Sequence, residues 1–326
     1  MTTITVIGSL NYDLVTFTDK VPSAGETFQA NSFENHLGGK GLNEALAVAR
    51  LSPKEITTRM IGNIGNDNFG KELKQALVDS DVDVNFVKTL QDQSLGVAVI
   101  LVEEGGENRI LITAGANGEL KPSKEEYKEY FSTQHDGFVI LQNEYPDTVK
   151  TMDWLVANRS EINIAYNPSP FKKDLITHEI LRNIDLLIVN EGEALDVERY
   201  LGGSVDNGKV DAATKSDNIS RFSELSTKLQ GMINPFKVNT VIITMGSHGC
   251  VFVSKGLEPQ FHPSRKVKEV VDTTGAGDTF FGGVVLQLAL GKDIGEAVKF
   301  ATVASSLVIQ KKGAAESIPK YEDVSC

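Results

Sequence analysis

The chain has 326 residues, 40% of them hydrophobic, and a formal net charge of −12 at pH 7. That length suits about two domains or one large α/β unit with ample material for a core. The acidic balance excludes the basic stripe with which a nucleic-acid binder meets phosphates, although an anionic ligand needs only local amides, a lysine or a metal.

No run spans a bilayer: residues 280–290, for example, include two glycines and Gln287. Residues 1–10 carry no basic n-region, so no secretory signal is expected. Cys250 and Cys326 make no disulfide framework, and the sequons at Asn158 and Asn218 are then incidental. A cytosolic protein is expected, and the sequence sets no bound on a nuclear pool.

In chain order, residues 4–8 read as a short buried strand and 42–51 as a helix opened by a glycine-rich turn. Residues 60–64 are strand-like, and 69–78 form an amphipathic helix after Asp67. Further apolar strands fall at 138–141, 162–166, 186–189 and 241–244, and two helices follow at 277–290 and 294–310. This alternation predicts an α/β fold: one domain, 1–326, with a mostly parallel sheet covered by helices on both faces. Two segments break the pattern, about 14–35 and 94–112. They combine β-prone residues with turn glycines (Gly25, Gly105, Gly106) and lack a helical period. They read as a small separate sheet acting as a lid, or equally as ordinary edge hairpins. Residues 202–220 are polar and read as a surface loop or a partly disordered insert.

The strongest chemical signal is the run 272–280, Asp-Thr-Thr-Gly-Ala-Gly-Asp-Thr-Phe. Gly275, Ala276 and Gly277 are small enough for backbone amides to approach a phosphate where a helix begins. Asp278, in the first turn, is placed to accept a proton from an attacking alcohol; the bland alternative is a helix cap. Gly38-Gly39-Lys40-Gly41-Leu42-Asn43 puts a lysine after paired glycines at a helix start. It suits a polyol or an anion, or else a tight turn, and it is no Walker loop. Asn190 and Glu193, three apart after a strand, could hold water-coordinated Mg²⁺ or simply cap a helix. Thr244-Met245-Gly246-Ser247-His248-Gly249 could meet nucleotide phosphates at the sheet's carboxyl edge, or form a hairpin turn. Asn11, Asp13 and Glu144 stand just past strands, as sugar-hydroxyl acceptors or as turn residues. The Asp79-x-Asp81-x-Asp83 run lacks the glycine and glutamate of a calcium loop. No histidine spacing suggests zinc, and no Gly-x-Gly-x-x-Gly follows the first strand.

Taken in this order, the motifs resemble the ribokinase branch of the carbohydrate kinase family that includes fructokinases and adenosine kinase, over about residues 4–321. Asn167-Pro-Ser-Pro170 and Lys312-Gly-Ala-Ala-Glu-Ser317 look like its eukaryotic, fungal members. The resemblance implies ATP-dependent phosphorylation of D-ribose at its 5-hydroxyl, with Asp278 as base and Gly275, Ala276 and Gly277 as anion hole. It places Asn11, Tyr12, Asp13, Gly39, Lys40, Gly41, Leu42, Asn43 and Glu144 around ribose. Asn190, Thr244 to Gly249, Gly277 and Thr302 would meet ATP, with Glu193 organising Mg²⁺ through water. Asp272, Thr274, Val308, Lys311, Gly313 and Ser317 would line a K⁺ site, mostly by backbone carbonyls. The lid would also make a homodimer interface. Gly192 replaces the threonine often found between the two glutamates. Alternatives are another sugar or nucleoside kinase on this scaffold, and a catalytically silent nucleotide-binding regulator. A lysine at position 40 favours ribose, because the nucleoside branch usually lacks it.

Overall fold

The computed structural model describes residues 2–105, 107–133, 135–202 and 215–325. In chain order these form β1 (Thr2–Ile7), β2 (Asn11–Thr18), β3 (Ser32–Gly38), α1 (Lys40–Arg50), β4 (Ile56–Gly65), α2 (Asn68–Val78), β5 (Asp83–Leu90), β6 (Gly96–Glu103) and β7 (Asn108–Thr113). After them come α3 (Lys124–Tyr130), β8 (Asp136–Leu141), α4 (Thr148–Asn158), β9 (Asn163–Tyr166), α5 (His178–Leu181), β10 (Leu186–Asn190), α6 (Glu191–Tyr200) and α7 (Lys215–Gln230). The chain ends with β11 (Thr240–Thr244), β12 (Gly249–Ser254), β13 (Gln260–Pro263), α8 (Ala276–Ala289) and α9 (Ile294–Val308).

The main sheet runs β13-β12-β11-β10-β9-β8-β1-β4-β5, and only β12 and β13 are antiparallel to their neighbours. Strand side chains alternate faces, and here both faces are covered. Ile4, Val6, Met60, Ile140, Ile188 and Ile242 enter one core with α1, α2, α8 and α9. Ile7, Ile61, Val139, Leu141, Leu187 and Ile243 enter the other, beneath α3 to α7. Burial on both faces explains why these strands read as continuous apolar runs rather than alternating ones.

The segments that broke the pattern pair with each other. They form a second sheet, β3-β2-β6-β7, in which β2 is parallel to β6 and the outer pairs are antiparallel. This is the small β lid. Its root is pinned by Asn117, buried in the turn after β7, which exchanges two hydrogen bonds with the backbone of Leu10 and donates to Asn11 Oδ1.

The expected loop at 202–220 needs correction: residues 215–220 are the first turns of α7. Their polarity hid the helix, whose apolar stripe (Phe222, Leu225, Leu229) begins later. Residues 203–214 lie outside the described part, as do Gly106 and Cys326.

Helix α8 is buried from Thr279 to Gln287 on every face, packed between α1 and α9. Gly282 permits this closeness: a Cβ there would lie 2.8 Å from Ala47 Cβ and 3.1 Å from the Glu44 carbonyl on α1. Helix propensity alone predicts that Gly282→Ala stabilises by about 1 kcal/mol. Overpacking should win, and we expect a net loss of about 1–3 kcal/mol in urea denaturation; a gain would mean that α1 and α8 are not in tight contact.

Candidate active site

Five neighbouring strands, β11-β10-β9-β8-β1, point the same way. Four of them deliver a sequence-predicted site residue at or just past the carboxyl end, Thr244, Asn190, Glu144 and Asn11, and β9 adds Asn167. In open α/β sheets that edge is where ligands bind.

Across it, the starts of α1 and α8 converge. Gly275 caps α8 in the left-handed region (φ 76°), where a Cβ would also press on Ala314. Asp278 does not cap the helix. Its Oδ1 accepts from Lys40 Nζ at 3.2 Å and its Oδ2 from Asn43 Nδ2 at 2.8 Å. A carboxylate has about four acceptor positions, so room remains for a substrate hydroxyl. The first-turn amides of Gly277 and Asp278 have no intrahelical acceptor, and a Cβ at Gly277 would meet nothing within 4 Å. A phosphoryl oxygen can therefore approach both. Burial alone would weaken the Lys40 ammonium, but Asp278, Glu44, Glu144 and Glu193 around it raise its pKa overall. Lys40 stays charged.

Beside this pair lies a set of acceptors. Glu144 Oε2 receives the Lys40 amide at 2.9 Å and also the Ser9 hydroxyl, which fixes the carboxylate and leaves Oε1 open. Asn11 and Asp13 share one face of β2. Tyr12, between them, faces the other way: its ring stacks on Phe69 at 4.2 Å and its hydroxyl donates to Glu72. Leu42 is fully buried in the core. At Tyr12 and Leu42 only the backbone can serve a ligand. Gly39 and Gly41 let the loop pass close to the backbone of Ser9. Burial foremost, and then Glu144, push the Asp13 carboxyl up to about 6, with His36 opposing.

Toward the other strands, Asn190 and Glu193 form a reciprocal capping box. Asn190 Oδ1 accepts from the Glu193 amide at 2.8 Å, and Glu193 Oε2 accepts from the Asn190 amide at 3.0 Å. Asn167 donates to the same Oε2 at 3.2 Å, so these bonds hold the carboxylate by one oxygen and leave Oε1 to other partners. Residues 244–249 make the β11–β12 hairpin turn, closed by Met245 N to Gly249 O at 2.7 Å. Gly246 and Ser247 are exposed in that turn, His248 is half-buried, and the Met245 side chain is core. Thr302 is half-buried on α9.

Asp272 ties the anion-hole loop to the C-terminal loop. Its Oδ1 accepts from Thr274 N and Oγ1, and its Oδ2 accepts from Gly313 N at 3.0 Å. Burial would raise this carboxyl, but those bonds outweigh it and hold it below the usual range. Ser317 is buried with its hydroxyl on Ala314 O. Val308 is core, while the Lys311 side chain is exposed. These are oxygen donors only, the set a hard alkali cation accepts. Among the described residues no cluster of three or more His, Cys, Asp or Glu could hold a metal directly.

Ser9, Asn117 and Asn167 were not singled out from the sequence as site residues. Only Ser9 and Asn167 carried a signal, as small polar residues directly past strands.

The chain matches the pfkB family carbohydrate kinase description over residues 1–321. It is 36% identical to a ribokinase of Schizosaccharomyces pombe, covering 99% of this chain and 97% of that one. Among solved structures, a ribokinase from Cryptococcus neoformans in complex with ADP superposes with a TM-score of 0.85 at 30% identity, covering 99% of each chain. The Arabidopsis thaliana ribokinase complexed with ribose and ATP gives 0.83 at 28%, covering 99% of this chain and 98% of that one.

The Asp13 carboxyl makes a testable contribution to stability. Its folded pKa, about 6, lies above the ordinary 3.8. Its stabilising share is therefore full below pH 4 and is lost as pH rises through 6. Relative to the native chain, Asp13→Asn should gain about 2–3 kcal/mol between pH 4 and pH 7 in urea denaturation. A gap that does not change with pH would show that Asp13 titrates as it does when exposed.

Proposed function

The chain belongs to the pfkB family of carbohydrate kinases and is an enzyme that phosphorylates ribose with ATP, and we propose that Asp278 is its catalytic base. The observation that carries this reading is the placement of Asp278 between Lys40, Asn43 and the open first turn of α8.

The primary 5-hydroxyl of D-ribose lies against Asp278 and gives up its proton to the carboxylate. The freed oxygen pair attacks the γ-phosphorus, the bond to the bridging oxygen breaks, and ADP leaves. The open amides of Gly277 and Asp278, just past the Gly275 cap, and the Lys40 ammonium face the charge spreading over the transferred group; the Ala276 amide is taken by the Thr273 carbonyl. Lys40 then acts on both partners, since it already holds the base. Asn11, Asp13, Glu144 and the 39–43 loop receive the remaining hydroxyls. This acceptor-rich pocket suits a neutral polyol and repels a phosphorylated sugar, which favours release of ribose 5-phosphate.

ATP lies along the carboxyl edge past β10 and β11, on Asn190, the 244–249 turn, Gly277 and Thr302. Mg²⁺, when bound, neutralises phosphate charge; Glu193 would hold it through water, by the oxygen that the capping box leaves free. K⁺ would lie between 272–274 and 308–317 and stiffen the anion-hole loop, and Asp272, which already bonds both walls, fits that role. The exposed apolar side chains of the lid (Phe33, Ile110, Leu111, Ile112) suit a second copy of the chain, giving a homodimer. No helix among the described residues is long and apolar enough to cross a membrane.

Asp278→Asn keeps the shape and the Asn43 contact but cannot take a proton. Its kcat for ribose phosphorylation should fall by roughly 10²–10⁴ while the fold survives. A folded variant with near-native turnover would remove Asp278 from the proton transfer.

A further inference from the structure

Directly after Asn43 on α1 stands an acidic side chain that the mechanism above does not use. Glu44 is completely buried. Among the described residues no cation lies within ion-pair distance of it; its one hydrogen bond is from the Gln142 amide to Oε2. Glu44 Oε1 and Gln142 Oε1 are both buried without a partner. An unpaired, ionised carboxylate in such a place is strongly disfavoured. The charged groups facing it are Lys40 on its own helix, Asp278 on α8, and Glu144 past β8. Lys40 already serves Asp278, so the surroundings are net acidic. Burial, and next the Asp278 charge, push the Glu44 carboxyl well above the usual carboxylate range.

One proton resolves both orphaned oxygens. A neutral carboxylic acid donates its O–H to the Gln142 carbonyl oxygen while the Gln142 amide donates back, a two-bond acid–amide pair. Gln142 lies just past β8, two residues before Glu144. The pair therefore bolts the first turns of α1, which carry Lys40 and Asn43, to the segment that carries Glu144. The glycine at position 8 keeps the space between them clear, since a Cβ there would meet the Gln142 side chain and the Gly41 backbone.

We propose that Glu44 is carried as a neutral acid in the folded enzyme and, paired with Gln142, is a positioning residue that sets the sugar-side geometry of Lys40, Asn43 and Glu144. The proposal rests on the ribose site argued above, but its stability readout does not.

Two variants of the full-length protein test it. Glu44→Ala leaves Gln142 alone and should raise the ribose KM by about tenfold or more with the ATP KM within about twofold, because the loosened elements face the sugar. Glu44→Gln rebuilds a two-bond pair without a titrating group and should bring the ribose KM back to within about threefold of native. The native chain binds a proton at Glu44 that the unfolded chain releases near the ordinary value, so its stability falls as pH rises. Melting temperatures of Glu44→Gln and the native protein should therefore diverge in favour of the variant between pH 5 and pH 8. A gap independent of pH, or one favouring the native chain as pH rises, would show that Glu44 is ionised and would overturn the proposal. So would a Glu44→Gln ribose KM as impaired as that of Glu44→Ala, or an equal rise in both KM values. Were Glu44→Ala not to fold, the pH series on Glu44→Gln would still decide it.

Discussion

The site hangs on the Asp278 carboxylate, which takes Lys40 and Asn43 of α1 onto its two oxygens from the first turn of α8. That contact joins residues more than 230 positions apart, and it sits on the same close approach of α1 and α8 that Gly282 permits. The buried packing of α1 on α8 therefore sets how far Asp278 stands from Lys40 and Asn43. It also decides electrostatics: Lys40 pairs with Asp278 amid the surrounding carboxylates, so the acidic pocket keeps one cation beside Asp278. The Asp13 and Glu144 carboxylates would otherwise repel any phosphate.

The same joint links the site to the rest of the molecule. On one side, the 39–43 loop continues from lid strand β3, so any tilt of the lid reaches Lys40 within a few residues. Glu316 in the C-terminal loop accepts from the Leu37 amide of that strand at 3.1 Å, and Lys312 pairs with Glu34. On the other side, Asp272 bridges that C-terminal loop to the turn carrying Gly275 to Gly277. Lid, C-terminal loop and the 275–277 turn are thus tied by hydrogen bonds into one ring around Asp278.

Much of this was legible in the residues. The runs 186–189 and 241–244 are apolar without a break because both faces of those strands are covered, and Asp67 caps α2 as its position suggests. Asp278 stood out in the local pattern, an acid among small residues at a helix start, with a helix cap as the alternative use, and in the structure it does not cap α8. What escaped was set by distance. Strands β12 and β13 turn back antiparallel at the sheet edge, a choice made by pairing with β11 rather than by their own composition. The Asn190–Glu193 spacing suits a metal and a cap equally, and in the structure each side chain accepts from the other residue's backbone amide. Tyr12 lies between two site residues in sequence, yet strand alternation turns it away to Phe69. Glu44 reads as an ordinary helix acid, because nothing local reveals that Gln142 closes over it.

The most direct measurement is a crystal structure of the enzyme with ribose and a non-hydrolysable ATP analogue. The primary hydroxyl oxygen of ribose should lie about 2.6–3.2 Å from an Asp278 oxygen and in line with the γ-phosphorus, with Lys40 reaching the γ-phosphate. A ribose bound with that hydroxyl turned away, and Asp278 still held only by Lys40 and Asn43, would contradict the assignment of the base.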